Sequence, residues 1–163
     1  MINNNIKEDY CSFEVSKLLK KKGFKQPVLC YYFEDGEFKE NIIEDTYGYY
    51  GENYTVEYEE FLENWNDNFL TKKNGDRCFG CNKSEGYFET YSAPTHTLAL
   101  KWIRENFGII CGTTMPTKIN NNYLFGGKVF SMINEGDNAV IGAYDKPEEA
   151  AEAALLYTLK HLL

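Results

Sequence analysis

The sequence predicts an α+β fold in one domain spanning 1–163, a mainly antiparallel sheet with three to four helices packed on it in a two-layer arrangement. Two observations carry this expectation. Segments with Ser or Thr caps and apolar residues at helical spacing alternate with short runs of β-branched and aromatic residues, and turn signals join successive runs. The chain also holds 13 Tyr and 11 Phe in 163 residues, which favours strands because a ring with a polar tip can be buried on one side and hydrated on the other.

Ser12 can cap a helix through Phe13, Val15, Leu18 and Leu19; Lys20, Lys21 and Lys22 gather at the negative end of its dipole, and Gly23 suits the position just past its end. After Pro27, Val28 to Phe33 reads as a strand, Asp35-Gly36 as a hairpin turn, and a second strand starts near Phe38. Tyr47 to Tyr54 reads as a Gly- and Tyr-rich loop or hairpin, followed by a short alternating segment around Thr55 to Tyr58. Glu59 to Leu70 places Phe61, Leu62, Trp65 and Phe69 at helical spacing and predicts a further helix with these rings in the core. Tyr87 to Tyr91 reads as a strand.

Thr95 then predicts the cap of a helix whose apolar face is Leu98, Ala99, Trp102, Ile103 and Phe107, ending at Gly108. Ile109 to Cys111 restarts a strand, Lys118 to Tyr123 reads as a polar loop, Tyr123 to Ile133 as a hairpin turning at Gly126-Gly127, and Asn138 to Tyr144 as another strand. Asp145-Lys146-Pro147-Glu148 predicts a helix start with an acidic cap and an early Pro, continuing as an Ala- and Leu-rich helix to Leu163.

Composition narrows the function classes. With 43% hydrophobic and 26% charged residues the chain belongs with globular proteins rather than disordered ones. A net charge of -8 disfavours nucleic-acid binding, which uses a basic face to release counterions. The acid is concentrated between Glu34 and Glu63, where Lys39 is the one basic residue; a solvated acidic surface is the ordinary reading, and docking to a basic partner the alternative. No apolar run reaches the ~18 residues that cross a bilayer, so no membrane span is expected. Met1 to Asn5 does not open a signal peptide, and five scattered cysteines fit reduced thiols, so a cytoplasmic protein is expected.

The sharpest chemical motif is Cys78-Phe79-Gly80-Cys81, two thiols spaced to hold one zinc ion. No second pair at metal-ligand spacing completes it. A turn with reduced cysteines is therefore the first reading, zinc the second and thiol redox the last, since no helix N-terminus follows to lower a thiol pKa. His161 falls in the last turn of the terminal helix and His96 in the first turn of the preceding one; both positions have ordinary explanations. A pairing of Cys111 with His96 competes with the commoner buried strand cysteine. Phosphate-loop and dinucleotide motifs are missing, and no carboxylate pair stands out by context. No catalytic residue is assigned.

Tyr91-Ser92-Ala93-Pro94-Thr95-His96-Thr97-Leu98-Ala99-Leu100-Lys101-Trp102-Ile103-Arg104-Glu105 resembles a recurrent segment in small proteins of Bacteroidetes phages and mobile elements. The start Cys11 to Val15, Leu18-Leu19-Lys20 with Gly23-Phe24, and Pro147-Glu148-Glu149-Ala150 share the resemblance, whereas Tyr47 to Cys81 departs from it. That group has no established activity, so the resemblance implies a context, expression from a phage or prophage gene inside a bacterial host. The functional expectation is a non-enzymatic accessory protein that binds a host or phage protein, with Tyr47, Tyr49, Tyr50 and Tyr54 as aromatic anchors. The alternatives are a zinc-binding module or enzyme at Cys78 and Cys81, and a virion-associated or small-ligand-binding protein.

Overall fold

The computed structural model describes residues 9–40, 42–43, 48–49, 52–53, 59–60, 62, 64–67, 69–71, 87–120, 122–132 and 138–163. In chain order, helix α1 (Phe13–Lys21) precedes strands β1 (Cys30–Phe33), β2 (Phe38–Glu40), β3 (Ile42–Ile43), β4 (Gly48–Tyr49), β5 (Glu52–Asn53) and β6 (Glu59–Glu60). A single 3-10 turn at Trp65–Asp67 leads to β7 (Phe69–Thr71) and β8 (Tyr87–Ala93). Then come α2 (His96–Phe107), β9 (Ile109–Thr113), β10 (Thr117–Ile119), β11 (Asn122–Ser131), β12 (Ala139–Tyr144) and α3 (Pro147–Tyr157), which widens into a π-helical end at Thr158–Leu162. Every pairing between these strands is antiparallel, so the class is α+β. The chain forms two compact units, the first made of 1–24 with 94–163 and the second of 25–93.

In the first unit, β11 is the spine of the sheet: β12 pairs along one edge, and β9 and β10 follow one another along the other. Alternate residues Ile109, Cys111, Val129 and Ser131 are buried on the face that α2 and α3 cover. Against them α2 buries Ala99, Trp102 and Ile103, and α3 buries Ala150, Ala151, Ala154 and Leu155. The Trp102 ring meets Phe24 and Phe107 edge-on at 5.3 and 5.2 Å. Ser12 and Thr95 cap α1 and α2, accepting from the amides of Val15 and Leu98. Gly108 closes α2 at φ 64, a left-handed conformation open to glycine at little cost. At the start of α3 the capping position is Lys146 rather than Asp145, and no side chain bonds to the first turn; Pro147 and the acids Glu148 and Glu149 supply the start signal instead.

The predicted hairpin at Gly126-Gly127 is not formed. Both glycines lie within the ten-residue strand β11, because α3 crosses there: a Cβ on Gly127 would meet the Ala150 carbonyl oxygen at 2.7 Å. The chain reverses earlier, in the stretch read as a polar loop. Ile119 pairs with Asn122, and Asn120 adopts φ 49, a conformation that asparagine tolerates.

The second unit carries a four-stranded sheet in the order β2-β1-β8-β7, and the β1–β2 hairpin turns at Gly36 as expected. The helix expected over Glu59 to Leu70 is absent among the described residues, where β6, the turn at Trp65 and β7 occupy that stretch and Leu62 is 64% exposed. Strand partners claim the polar groups a helix would need. Ser92 Oγ accepts from the Trp65 amide at 3.1 Å, the Trp65 carbonyl accepts from the Thr90 hydroxyl at 2.6 Å, and Asn66 Oδ1 accepts from the Ser92 amide at 2.9 Å. The indole donates to the Val28 carbonyl at 2.9 Å and stacks on Tyr31 at 4.3 Å. The two-stranded pairs β3-β6 and β4-β5 complete the described strands of this unit.

Candidate functional site

The segment before α1 runs antiparallel to the segment before α2. The Cys11 amide donates to the Pro94 carbonyl at 2.9 Å, Tyr10 bridges to Thr95, and the His96 amide donates to the Asp9 carbonyl at 3.1 Å. This pairing brings Cys11 beside His96, the first residue of α2. From α3, Glu152 reaches both: its Oε2 lies 2.7 Å from His96 Nε2, and its Oε1 accepts from the Ser12 amide at 3.2 Å. The Cys11 sulfur, a His96 ring nitrogen and a Glu152 carboxylate oxygen all lie within 4.8 Å of one another. His96 and Glu152 are half-buried and Cys11 is fully buried.

An open cleft of about 480 Å³ begins at this cluster. Tyr10, Ser12, Tyr144, Glu148 and Glu149 line it together with His96 and Glu152. Burial pushes the Cys11 thiol well up, and the negative charge of Glu152 pushes it further in the same direction, against a smaller opposing effect of a backbone hydrogen bond. Cys111 is raised to about 11, again chiefly by burial, with a hydrogen bond from Thr158 working the other way. Neither sulfur is a ready thiolate nucleophile near neutral pH. The pairing weighed between Cys111 and His96 is not made: His96 faces Glu152 and Cys11, and Cys111 is a buried strand cysteine below α3. His161 sits in the terminal wide turn with its ring 4.9 Å from Tyr157.

A second feature lies on the other face of the same sheet. Ile110 and Phe130 stand directly opposite each other, and Lys128 stands between Gly112 and Val140 on the same face. Ile110, Phe130 and Val140 are 45%, 43% and 71% exposed, and Met132 just beyond the strand is 56% exposed. A hollow of about 450 Å³ opens between Ile110, Gly112, Lys128 and Phe130.

Of the residues singled out in the sequence, Tyr47, Tyr50, Tyr54, Cys78 and Cys81 lie outside the described residues. Tyr49 is described through its backbone, paired opposite Glu52 in the β4-β5 hairpin. The Cys11, His96 and Glu152 cluster has no signature in the sequence, since His96 and Glu152 are 56 residues apart and Ser12 and Glu152 are 140 apart. Cysteine, histidine and glutamate at such distances form no spacing motif.

No protein-family model, no curated protein and no solved structure matches the chain. Among the described residues no helix is long and apolar enough to cross a membrane.

Proposed function

We propose that the protein is an accessory protein of a phage or prophage that acts in the bacterial cytoplasm by binding a different protein, with the helix-free face of the first unit's sheet as its contact surface. The observation that carries this reading is the juxtaposition of Ile110, Phe130 and Val140 on three neighbouring strands, all three exposed, with the sequence neighbours of Ile110 and Phe130 buried on the opposite face. Apolar side chains scattered singly over a surface are ordinary; a contiguous group around one cation is the pattern of an interaction site. Lys128 in the middle of the group favours a partner surface that is apolar and carries a carboxylate. The net charge of -8 opposes close approach of a second copy, so the occupant is a heterologous protein.

Placing a photo-cross-linking amino acid at position 130 of the full chain, expressed in a bacterial host, tests this reading. The expected result is a discrete heterologous adduct that disappears in Ile110→Glu and Val140→Glu while the purified protein remains monomeric by light scattering. A cross-linked homodimer would overturn it. So would an adduct that survives both substitutions, or one lost only when Tyr47, Tyr49, Tyr50 and Tyr54 are replaced by Ser.

A further inference from the structure

We infer that Cys11, His96 and Glu152 form a three-ligand site for a divalent cation of the zinc type, with an open coordination position toward the cleft lined by Tyr10 and Tyr144. The donor set fits such an ion: a thiolate, an imidazole nitrogen and a carboxylate are its usual protein ligands, and three protein donors with one open position is the pattern of a reactive rather than a closed structural site.

The geometry needs small adjustments. Ligands at about 2.0–2.3 Å from a tetrahedral ion are separated by about 3.3–3.7 Å. The 2.7 Å separation of His96 Nε2 and Glu152 Oε2 would open by roughly 1 Å on this basis, and the widest separation in the cluster, at most 4.8 Å, would close by a similar amount. Side-chain rotation supplies shifts of that size without moving α2 or α3. The position of Glu152 is already fixed from outside the cluster, because its second oxygen accepts from the Ser12 amide while the first points at His96.

Charge supplies the second argument. The cluster is half-buried, where uncompensated charge is strongly disfavoured. A divalent cation held by one thiolate and one carboxylate leaves the site near neutrality. Glu148 and Glu149 on the cleft wall add a negative approach path for a cation. The three ligands come from the segment before α1, from α2 and from α3, so a bound ion also ties the two chain segments of the first unit together.

Cobalt(II) reports the site directly, because a cobalt thiolate gives a charge-transfer absorption and a tetrahedral ion gives intense visible bands. Titrating the full chain, stripped with chelator, is expected to develop both signals at one equivalent, zinc is expected to bleach them, and the signals should persist in Cys78→Ser/Cys81→Ser. Cys11→Ser should lose the charge-transfer band, and His96→Gln and Glu152→Gln should each lose tight binding and the zinc-induced rise in Tm. Should Cys11→Ser fail to fold, the two surface-side variants, checked by circular dichroism, decide the matter. A folded wild-type chain with no cobalt signal would sink the inference. Signals that vanish in Cys78→Ser/Cys81→Ser, or that survive unchanged in His96→Gln and Glu152→Gln, would do the same.

Discussion

A methyl group added to Gly127 would stand 2.7 Å from the Ala150 carbonyl oxygen and 3.4 Å from the Ala154 side chain, so either β11 or α3 must move to admit it. Gly112, opposite Lys128 on the outer face of β9, has nothing within 4 Å of the same position. Gly127→Ala is therefore expected to lower stability by about 1–3 kcal/mol through overpacking. Gly112→Ala should be neutral or stabilising by up to about 1 kcal/mol, because alanine restricts the unfolded chain. Urea unfolding of the two variants checks the contrast; equal effects would show that α3 does not press on β11. This contact also explains why the sequence misled. Adjacent glycines followed by lysine signal a turn locally, and nothing near residue 127 reveals a helix twenty-odd residues later in the chain that requires the strand to be bare at that point. The Cys11, His96 and Glu152 cluster escaped for the same reason: each residue has a sufficient local explanation, as buried cysteine, first-turn histidine and exposed-face glutamate, and only the tertiary pairing of 9–11 with 94–96 joins them.

Elements with their signals in adjacent residues were legible. The Thr95 hydroxyl accepts from the Leu98 amide at 3.3 Å, and Gly108 ends the same helix in the left-handed region, so both ends of α2 are written within its own sequence. Thr95→Ala should cost about 1 kcal/mol by leaving that amide without its cap, and Thr95→Ser should recover most of the loss, because the hydroxyl and not the methyl makes the bond. The expected readout is a lower urea midpoint at unchanged slope; a Ser variant as unstable as the Ala variant would move the explanation to the packing of the methyl group. The stretch 59–70 failed for the opposite reason. Its apolar spacing is helical, but Trp65 stacks on Tyr31 and its backbone is bound by Ser92 and Thr90, all supplied by other strands. Tertiary partners outweighed a periodicity that had no cap of its own.

The connectivity of the two units sets up a coupling that contact energies alone do not contain. The first unit is discontinuous, made from 1–24 and 94–163, whereas the second is the continuous stretch 25–93 between them. Folding the first unit while the second is unfolded must close that stretch as a flexible loop, at an entropic cost of roughly 3–4 kcal/mol from the logarithmic length dependence. When the second unit is folded, much of this cost is already met: β1 and β8 lie side by side with Cys30 opposite Ala93, so the two ends of the insert are held close together. The coupling is one free energy shared by the two units, so each should stabilise the other by the same amount, up to that closure cost. The two tryptophans read this separately, with Trp65 in the second unit and Trp102 in the first. Trp65→Ala removes the ring stacked on Tyr31 and leaves Trp102 as the sole indole; the transition that Trp102 reports should fall to lower urea although its own surroundings in the first unit are untouched. In a Trp102→Phe background, adding Gly127→Ala should likewise lower the Trp65 midpoint, because unfolding the first unit releases the ends of the insert and removes the same closure term. A Trp65 midpoint unmoved by Gly127→Ala while the Trp102 midpoint falls with Trp65→Ala would break that reciprocity, and chain topology would not be the source of their coupling.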